Sequence, residues 1–319
     1  MNLVDSEAHQ SPAGSRWQTS GLILAIALLI CSCFVLPAQE LQPRAYVPAP
    51  IGLNFFGIAY ANNRGGLLFD PSLPVEDAGV TANTANLSFG RSLAVMGRTA
   101  QVLAIVPYIF ADVEGLVSGS QKFRRRSGLT DSAFRFAMNI SGAPAMQAPE
   151  FAKYEEKTVI GASLTVTAPT GQYDPNVLLN IGANRWGFKP ELGISRAYRQ
   201  WRFEGAAGAW LYMPNNNFYG SNIRTQDPLG SIQAHIVRFL PRRNWLAFDG
   251  TFFTGGRSSV NDSARPDYQA NTRFGVTYGI GINRSQAIRL AYFKGATTRI
   301  GSDIQSIGVT YQVVWLNVH

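Results

Sequence analysis

The stretch TRFGVTYGIGINRSQAIRLAYF, from Thr272 to Phe293, holds two strands and the turn between them. Phe274, Val276, Tyr278, Ile280 and Ile282 share one parity, while Arg273, Gly275, Thr277, Gly279 and Gly281 share the other. That two-residue period describes a strand with one apolar face and one small or polar face. After Asn283, Arg284, Ser285 and Gln286 the alternation resumes, with Ile288, Leu290 and Tyr292 opposite Ala287, Arg289 and Ala291, so the pair is an antiparallel hairpin. A third run sets Ile307, Val309, Tyr311, Val313 and Trp315 against Gly308, Thr310 and Gln312. Strands of about 10 residues with Tyr or Trp near their ends, apolar on one face and carrying Gly, Thr and Arg on the other, describe a transmembrane β-barrel. Its greasy face meets lipid and its polar face meets the lumen.

Working outward, the same pattern marks nine earlier strands. They lie near Leu53–Ala61, Leu87–Leu93, Val102–Phe110, Phe134–Ile140, Ile160–Val166, Trp186–Ile194, Trp201–Phe203, Ile232–Ile236 and Leu246–Phe252. The run at Val102–Phe110 is apolar on both faces and contains Pro107, which predicts a bulge there. The total is twelve, an even number, as closure of an antiparallel barrel with both termini at one end requires. Short connections at 96–99, 196–200, 241–244 and 283–286 alternate with long ones at 62–82, 113–129, 168–184, 214–228, 254–271 and 295–303. That is the asymmetry of periplasmic turns and extracellular loops. Residues 141–157 should be a turn yet are long, and predict a short helix or an excursion into the barrel.

The 319 residues are 46% hydrophobic and 15% charged, and no internal apolar run reaches the roughly 18–20 residues of a membrane helix. The one long apolar run, Gly21 to Leu36, ends in Pro37-Ala38 and reads as a signal peptide cleaved after Ala38. Residues 1–38 are thus an export segment, 39–51 an extended Pro-rich segment and candidate plug, and 52–319 the barrel. Cys31 and Cys33 fall within the export segment, leaving no thiol for a disulfide or a metal in the exported chain. Export removes Arg16, Asp5 and Glu7 and raises the net charge from +8 to +9. The dense basic run Lys122, Arg124, Arg125 and Arg126 sits between strands with no aromatic platform, so it suits anionic lipopolysaccharide or phospholipid headgroups rather than nucleic acid.

Later segments resemble a known family. Thr167-Ala168-Pro169-Thr170-Gly171-Gln172-Tyr173-Asp174 and Asn180-Ile181-Gly182-Ala183-Asn184-Arg185-Trp186-Gly187-Phe188-Lys189-Pro190-Glu191-Leu192-Gly193-Ile194-Ser195 are similar to the MetA-pathway of phenol degradation family. So, in the same order, are Gln226-Asp227-Pro228-Leu229, His235, Trp245 with Asp249, Gly255-Gly256-Arg257 and Arg299-Ile300-Gly301. The resemblance implies an outer-membrane, transporter-like barrel of a Gram-negative bacterium, passing small hydrophobic or aromatic compounds. The C-terminus departs from the habit of such barrels, because Leu316 to His319 follow Trp315.

By parity the lumen receives Arg135, Lys189, Glu191, Arg202, Glu204, His235, Asp249, Arg273 and Arg289. A charge on the lipid face would cost about 2–4 kcal/mol at the midplane, so inward placement is strongly favoured. Such charges either pair across the lumen and brace the wall, or line a path and contact a phenolate or carboxylate. Ser231, His235 and Asp249 could mimic a hydrolase triad, but no Gly-x-Ser-x-Gly elbow accompanies them and a hydrogen-bonded lumen histidine is the simpler reading. Tyr60, Tyr108, Trp186, Trp201, Trp210, Trp245, Tyr278, Tyr292, Tyr311 and Trp315 suit interfacial girdles. The expectation is therefore a monomeric channel rather than an enzyme, without cofactor or metal. Its partners are outer-membrane lipid, lipopolysaccharide, a small hydrophobic solute and the barrel-assembly machinery. A purely structural barrel and a lumen hydrolase are the alternatives.

Overall fold

The computed structural model describes residues 43–68, 75–117, 119–156, 158–177, 180–299 and 301–316. The export segment, both cysteines, His9 and His319 lie outside them. The strands are β1 (Leu53–Leu68), β2 (Val75–Val95), β3 (Arg98–Val117), β4 (Ser120–Leu129), β5 (Ser132–Ser141), β6 (Thr158–Ala168), β7 (Gly187–Tyr198) and β8 (Trp201–Tyr212). They continue with β9 (Asn215–Phe218), β10 (Asn222–Gln226), β11 (Leu229–Phe239), β12 (Trp245–Gly255), β13 (Ser258–Val260), β14 (Ser263–Ala264), β15 (Gln269–Gly281), β16 (Gln286–Thr297) and β17 (Gly301–Leu316). One short helix, α1 (Ala148–Phe151), falls between β5 and β6.

Every neighbour in the main sheet is antiparallel, and the ladder closes because β1 pairs with both β17 and β2, and β2 with β3. Since β4 and β5 are two pieces of one wall strand against β3, the barrel has twelve strands, as the sequence predicts. Closure leaves no sheet edge in the spanning region, which is how a β-structure satisfies its backbone in lipid. Along β15, Phe274 and Val276 are exposed while Gly275, Thr277 and Gly279 are buried, so the apolar parity faces outward. Phe56, Ile58, Phe134, Ile160, Leu192, Ile232 and Phe248 continue this outer apolar surface around the wall.

The bulge expected at Pro107 belongs to its partner. The register slips by one residue between Tyr108↔Leu129 and Ile105↔Ala133, at the junction of β4 and β5. The Pro107 carbonyl accepts from Thr130 N–H at 3.0 Å, so its own nitrogen also faces that junction, the place where a missing donor does no harm. Two of the expected long loops are largely strand. β2 has 21 residues and β3 has 20, about twice the span of an outer-membrane strand, so β1, β2, β3 and β17 continue past the wall. Their projecting part closes over Val80, Ala82, Ile109, Ala111, Val113 and Ile304. The basic run Lys122, Arg124, Arg125 and Arg126 lies on β4, paired with β3, rather than in a loop.

The short connections gather at one end. Between β2 and β3 only Met96 and Gly97 intervene, with φ of 50° and 71°, the two positive values of a type I′ hairpin turn. Residues 142–156 lie at this end too: Thr99 N–H donates to Ala143 O, Ala145 N–H to Gly97 O and Ile51 N–H to Met146 O. At the other end β9, β10, β13 and β14 form a separate four-stranded sheet.

Candidate functional site

Residues 43–52 run inside the short-turn end of the barrel. Arg44 N–H donates to Glu204 at 2.6 Å, and its guanidinium stands 5.7 Å from the Phe239 ring and 5.5 Å from the Trp245 ring. Tyr46 is 5% exposed and reaches the middle of the wall. Its hydroxyl donates to Glu191 at 2.8 Å and lies 3.1 Å from the Ser163 hydroxyl, while the Arg135 guanidinium sits 5.1 Å from its ring. Room for that ring is made by glycine: a Cβ at Gly161 or Gly193 would fall 2.3 or 2.1 Å from ring carbons. Burial, reinforced by the Glu191 charge, pushes the Tyr46 phenol up to about 12, so it remains a donor throughout ordinary pH.

Glu191 is the hub. Besides Tyr46 it accepts from Lys189 at 2.7 Å and Gln233 at 3.0 Å, with Arg135 at 3.7 Å. Lys189 and Glu191 are two apart on β7, which puts both on the inner face. Nearer the short turns, Arg202 pairs with Glu156 at 2.6 Å and donates to Ser195 at 3.3 Å, and Ser195 in turn donates to Glu204 at 3.2 Å. This chain ties residues 142–156 to the wall. A third group joins His235 Nδ1 to Asp249 at 2.7 Å, with Thr277 donating to the other carboxylate oxygen at 2.7 Å. Buried ions are tolerable only when paired and hydrogen-bonded in this way.

All nine charged residues named from parity lie on the inner face. Arg135, Lys189, Glu191, Glu204, His235 and Arg289 line a cavity of about 370 Å³. Arg202 and Asp249 are buried in the pairs just described, and Arg273 stands beside the Phe253 ring at 6.0 Å. No triad assembles. Ser231 shares the inner face but sits four residues along β11 from His235, about 13 Å at strand rise. Asp249 does hold His235, with its second oxygen taken by Thr277, but no serine completes the set.

Two girdle assignments are overturned. Trp210 has the parity of Arg202 and Glu204, is buried, and stacks on Tyr212 inside the barrel at 6.1 Å and 6°. Trp245 has the parity of Asp249 and fills the space over Gly279, whose Cβ would meet it at 2.1 Å. Arg238 does lie outward at the short-turn rim, over Trp201 at 4.8 Å. Residue-type reasoning also missed several members of the cavity lining: Tyr46, Asp131, Arg185, Tyr212 and Arg224. Parity along β8 was enough to place Trp210 and Tyr212, whereas Arg185 and Arg224 come from the long connections, where no lipid face imposes a period. Among the described residues no group of acidic, histidine or cysteine side chains is arranged to hold a metal ion.

The barrel is similar to an outer-membrane channel from Pseudomonas putida F1, with 20% identity and a TM-score of 0.73 over 86% of this chain and 100% of that one. The β domain of the Bordetella autotransporter BrkA aligns at 12% identity and a TM-score of 0.49, over 83% of this chain and 100% of that one. No curated protein sequence matches the chain. The fold is thus that of an outer-membrane, channel-like barrel. With residues 63–300 matching the family model described as "Putative MetA-pathway of phenol degradation", the chain belongs to that family.

Proposed function

We propose that the protein is a passive outer-membrane channel of a Gram-negative bacterium, taking up small aromatic or hydrophobic compounds, with residues 43–52 as a plug at the periplasmic end. The observation that carries this reading is the cavity itself. Its 370 Å³ falls within the roughly 300–1,000 Å³ range of small-molecule sites, and its walls mix Leu103, Ile105, Pro107, Trp210 and Phe293 with charged side chains. The charged pairs brace the wall and hold the plug, and the remaining inner surface conducts the solute. Membrane lipid and lipopolysaccharide surround a single barrel delivered by the assembly machinery, with 1–38 removed on export. No energy source, cofactor or catalytic group is part of this reading.

The test is uptake of phenol and benzyl alcohol into liposomes carrying the refolded, heat-modifiable barrel, compared with empty liposomes. Faster entry through the protein supports a channel, and entry equal to the empty control refutes it. Deleting residues 39–50 should raise conductance in planar bilayers; unchanged conductance counts against the plug.

A further inference from the structure

The long-loop half of the cavity holds a cation, Arg224, two of whose guanidinium nitrogens meet no partner among the described residues. Arg224, on β10, is 5% exposed and lines the cavity, with its guanidinium 5.3 Å from the Phe218 ring. Its Nε and Nη2 are buried and donate to no acceptor among the described residues. A buried guanidinium carries a heavy desolvation cost unless an anion or acceptor meets it. Arg185, also 5% exposed and lining the same cavity, donates to Gln226 and stands over the Tyr212 ring at 4.3 Å. Asp131, the acidic group of this half, directs its two oxygens to the backbone N–H groups of Gly171 and Ala183 at 2.9 and 2.8 Å. Over the whole cavity the lining has five Arg or Lys against three Asp or Glu, so its field favours anions.

We infer that Arg224 is an anion-binding residue at the outer end of the cavity, and that the ligand it takes is a small aromatic carboxylate. The planar fork of an arginine matches a carboxylate with two parallel hydrogen bonds, which a neutral hydroxyl cannot supply. The rest of the ligand is specified by what lies beside the fork: the stacked pair Trp210 and Tyr212 offers flat apolar surface for one ring. This inference deepens the channel reading and rests on it for the route of the ligand, but not for the existence of the site.

Binding and flux are therefore measured separately. Sodium benzoate and its neutral counterpart benzyl alcohol are titrated into the detergent-solubilised barrel, with tryptophan fluorescence as the readout, and both are tested for liposome uptake. The expected result is that benzoate binds at least tenfold more tightly than benzyl alcohol. Arg224→Gln should weaken benzoate by about ten- to hundredfold, the worth of a charge-assisted hydrogen bond, and leave benzyl alcohol unchanged. Arg224→Lys, which keeps the charge without the fork, should fall between. Equal affinity for the two ligands in the wild type, or benzoate affinity indifferent to both variants, overturns the anion site. Should Arg224→Gln fail the heat-modifiability check, the wild-type comparison and Arg224→Lys decide alone. Benzoate bound at Arg224 with no flux of either compound overturns the channel and leaves the site standing; flux of both with equal binding affinities does the reverse.

Discussion

Replacing Gly193 by alanine should open the barrel from a position that touches no solute. A Cβ there would lie 2.1, 2.5 and 2.8 Å from Cε2, Cδ2 and Cζ of Tyr46, against an ordinary carbon contact of about 3.5–4.0 Å. The wall is held by ladders to β6 and β8, so the ring must retreat, by about 1.5 Å if ordinary contact is to be restored. That retreat carries the hydroxyl from 2.8 Å off Glu191 to beyond hydrogen-bond reach. A lost hydrogen bond to a charged acceptor is worth about 1.5–3 kcal/mol, which shifts the docked-to-undocked ratio of residues 43–52 by roughly ten- to hundredfold. The assay is single-channel recording in planar bilayers, where the ratio of open to closed time should rise by that factor. Gly205→Ala is the control, because its Cβ would meet nothing closer than 3.8 Å. Tyr46→Ala should open the channel further, and adding Gly193→Ala to it should change nothing more, since the clashing ring is already gone. A heat-modifiable Gly193→Ala barrel with wild-type open time would refute the argument.

Three further outcomes follow from the same contacts. Because the Tyr46 phenol is raised from 10 to about 12 in the docked state, the undocked segment ionises first as pH rises. Docking is therefore at full strength below about pH 10 and is lost progressively between 10 and 12, so open time should climb over that window and Tyr46→Phe should flatten the climb. Glu156→Gln removes the partner of buried Arg202 and should destabilise residues 142–156 against the wall by about 3 kcal/mol. The readout is a lower temperature for the gel-mobility transition, largely restored by also removing the Arg202 charge with Arg202→Met. Changing Lys122, Arg124 and Arg125 to glutamine should lower thermal stability in vesicles containing lipopolysaccharide, not in neutral detergent, and added salt should erase the difference. Equal loss in both media would make the cluster a purely internal stabiliser.

What the sequence revealed followed where lipid is. From β5 through β17 each wall strand has one face in hydrocarbon, so Phe134, Phe136 and Met138, or Phe274, Val276 and Tyr278, repeat with period two and betray their neighbours' inward direction. Trp210 and Trp245 were misplaced because residue type was allowed to outweigh that same period: each shares parity with an inward charge two or more residues away. β3 was ambiguous for a different reason. Its inner face carries Leu103, Ile105, Pro107 and Ile109, so both faces are apolar, one against lipid and one against the cavity. Beyond the membrane the outward face no longer meets hydrocarbon, so the pattern that lipid writes stops there. β4 read as a loop because it is charged on both faces, Arg224 gave no signal at all, and Arg185 stood out only as part of a family-like segment. Tyr46 was hidden within a proline-rich segment that has no partner strand to set a register.

The inner wall also explains how a narrow barrel can hold large rings and still enclose a cavity. At four places an aromatic ring occupies the volume that a side chain would take on the opposing strand or segment: Phe55 over Gly90, Tyr46 over Gly161 and Gly193, Phe293 over Gly275, and Trp245 over Gly279. In each case the missing Cβ would fall 2.0 to 2.3 Å from a ring atom. Seating a ring on bare backbone lays it along the wall instead of across the lumen, so its apolar area is buried against main chain without closing the path. Three of these rings belong to barrel strands and are fixed by their ladders. Tyr46 alone belongs to a segment outside the strand ladder, held around the ring by its hydroxyl to Glu191, the amide of Arg44 to Glu204, and side-chain bonds from Arg135 and Gln101 to the Ala45 and Val47 carbonyls. The same glycine device that seats rings elsewhere on the wall therefore makes a removable seat at one point, and it is there that the proposed plug would control passage through the barrel.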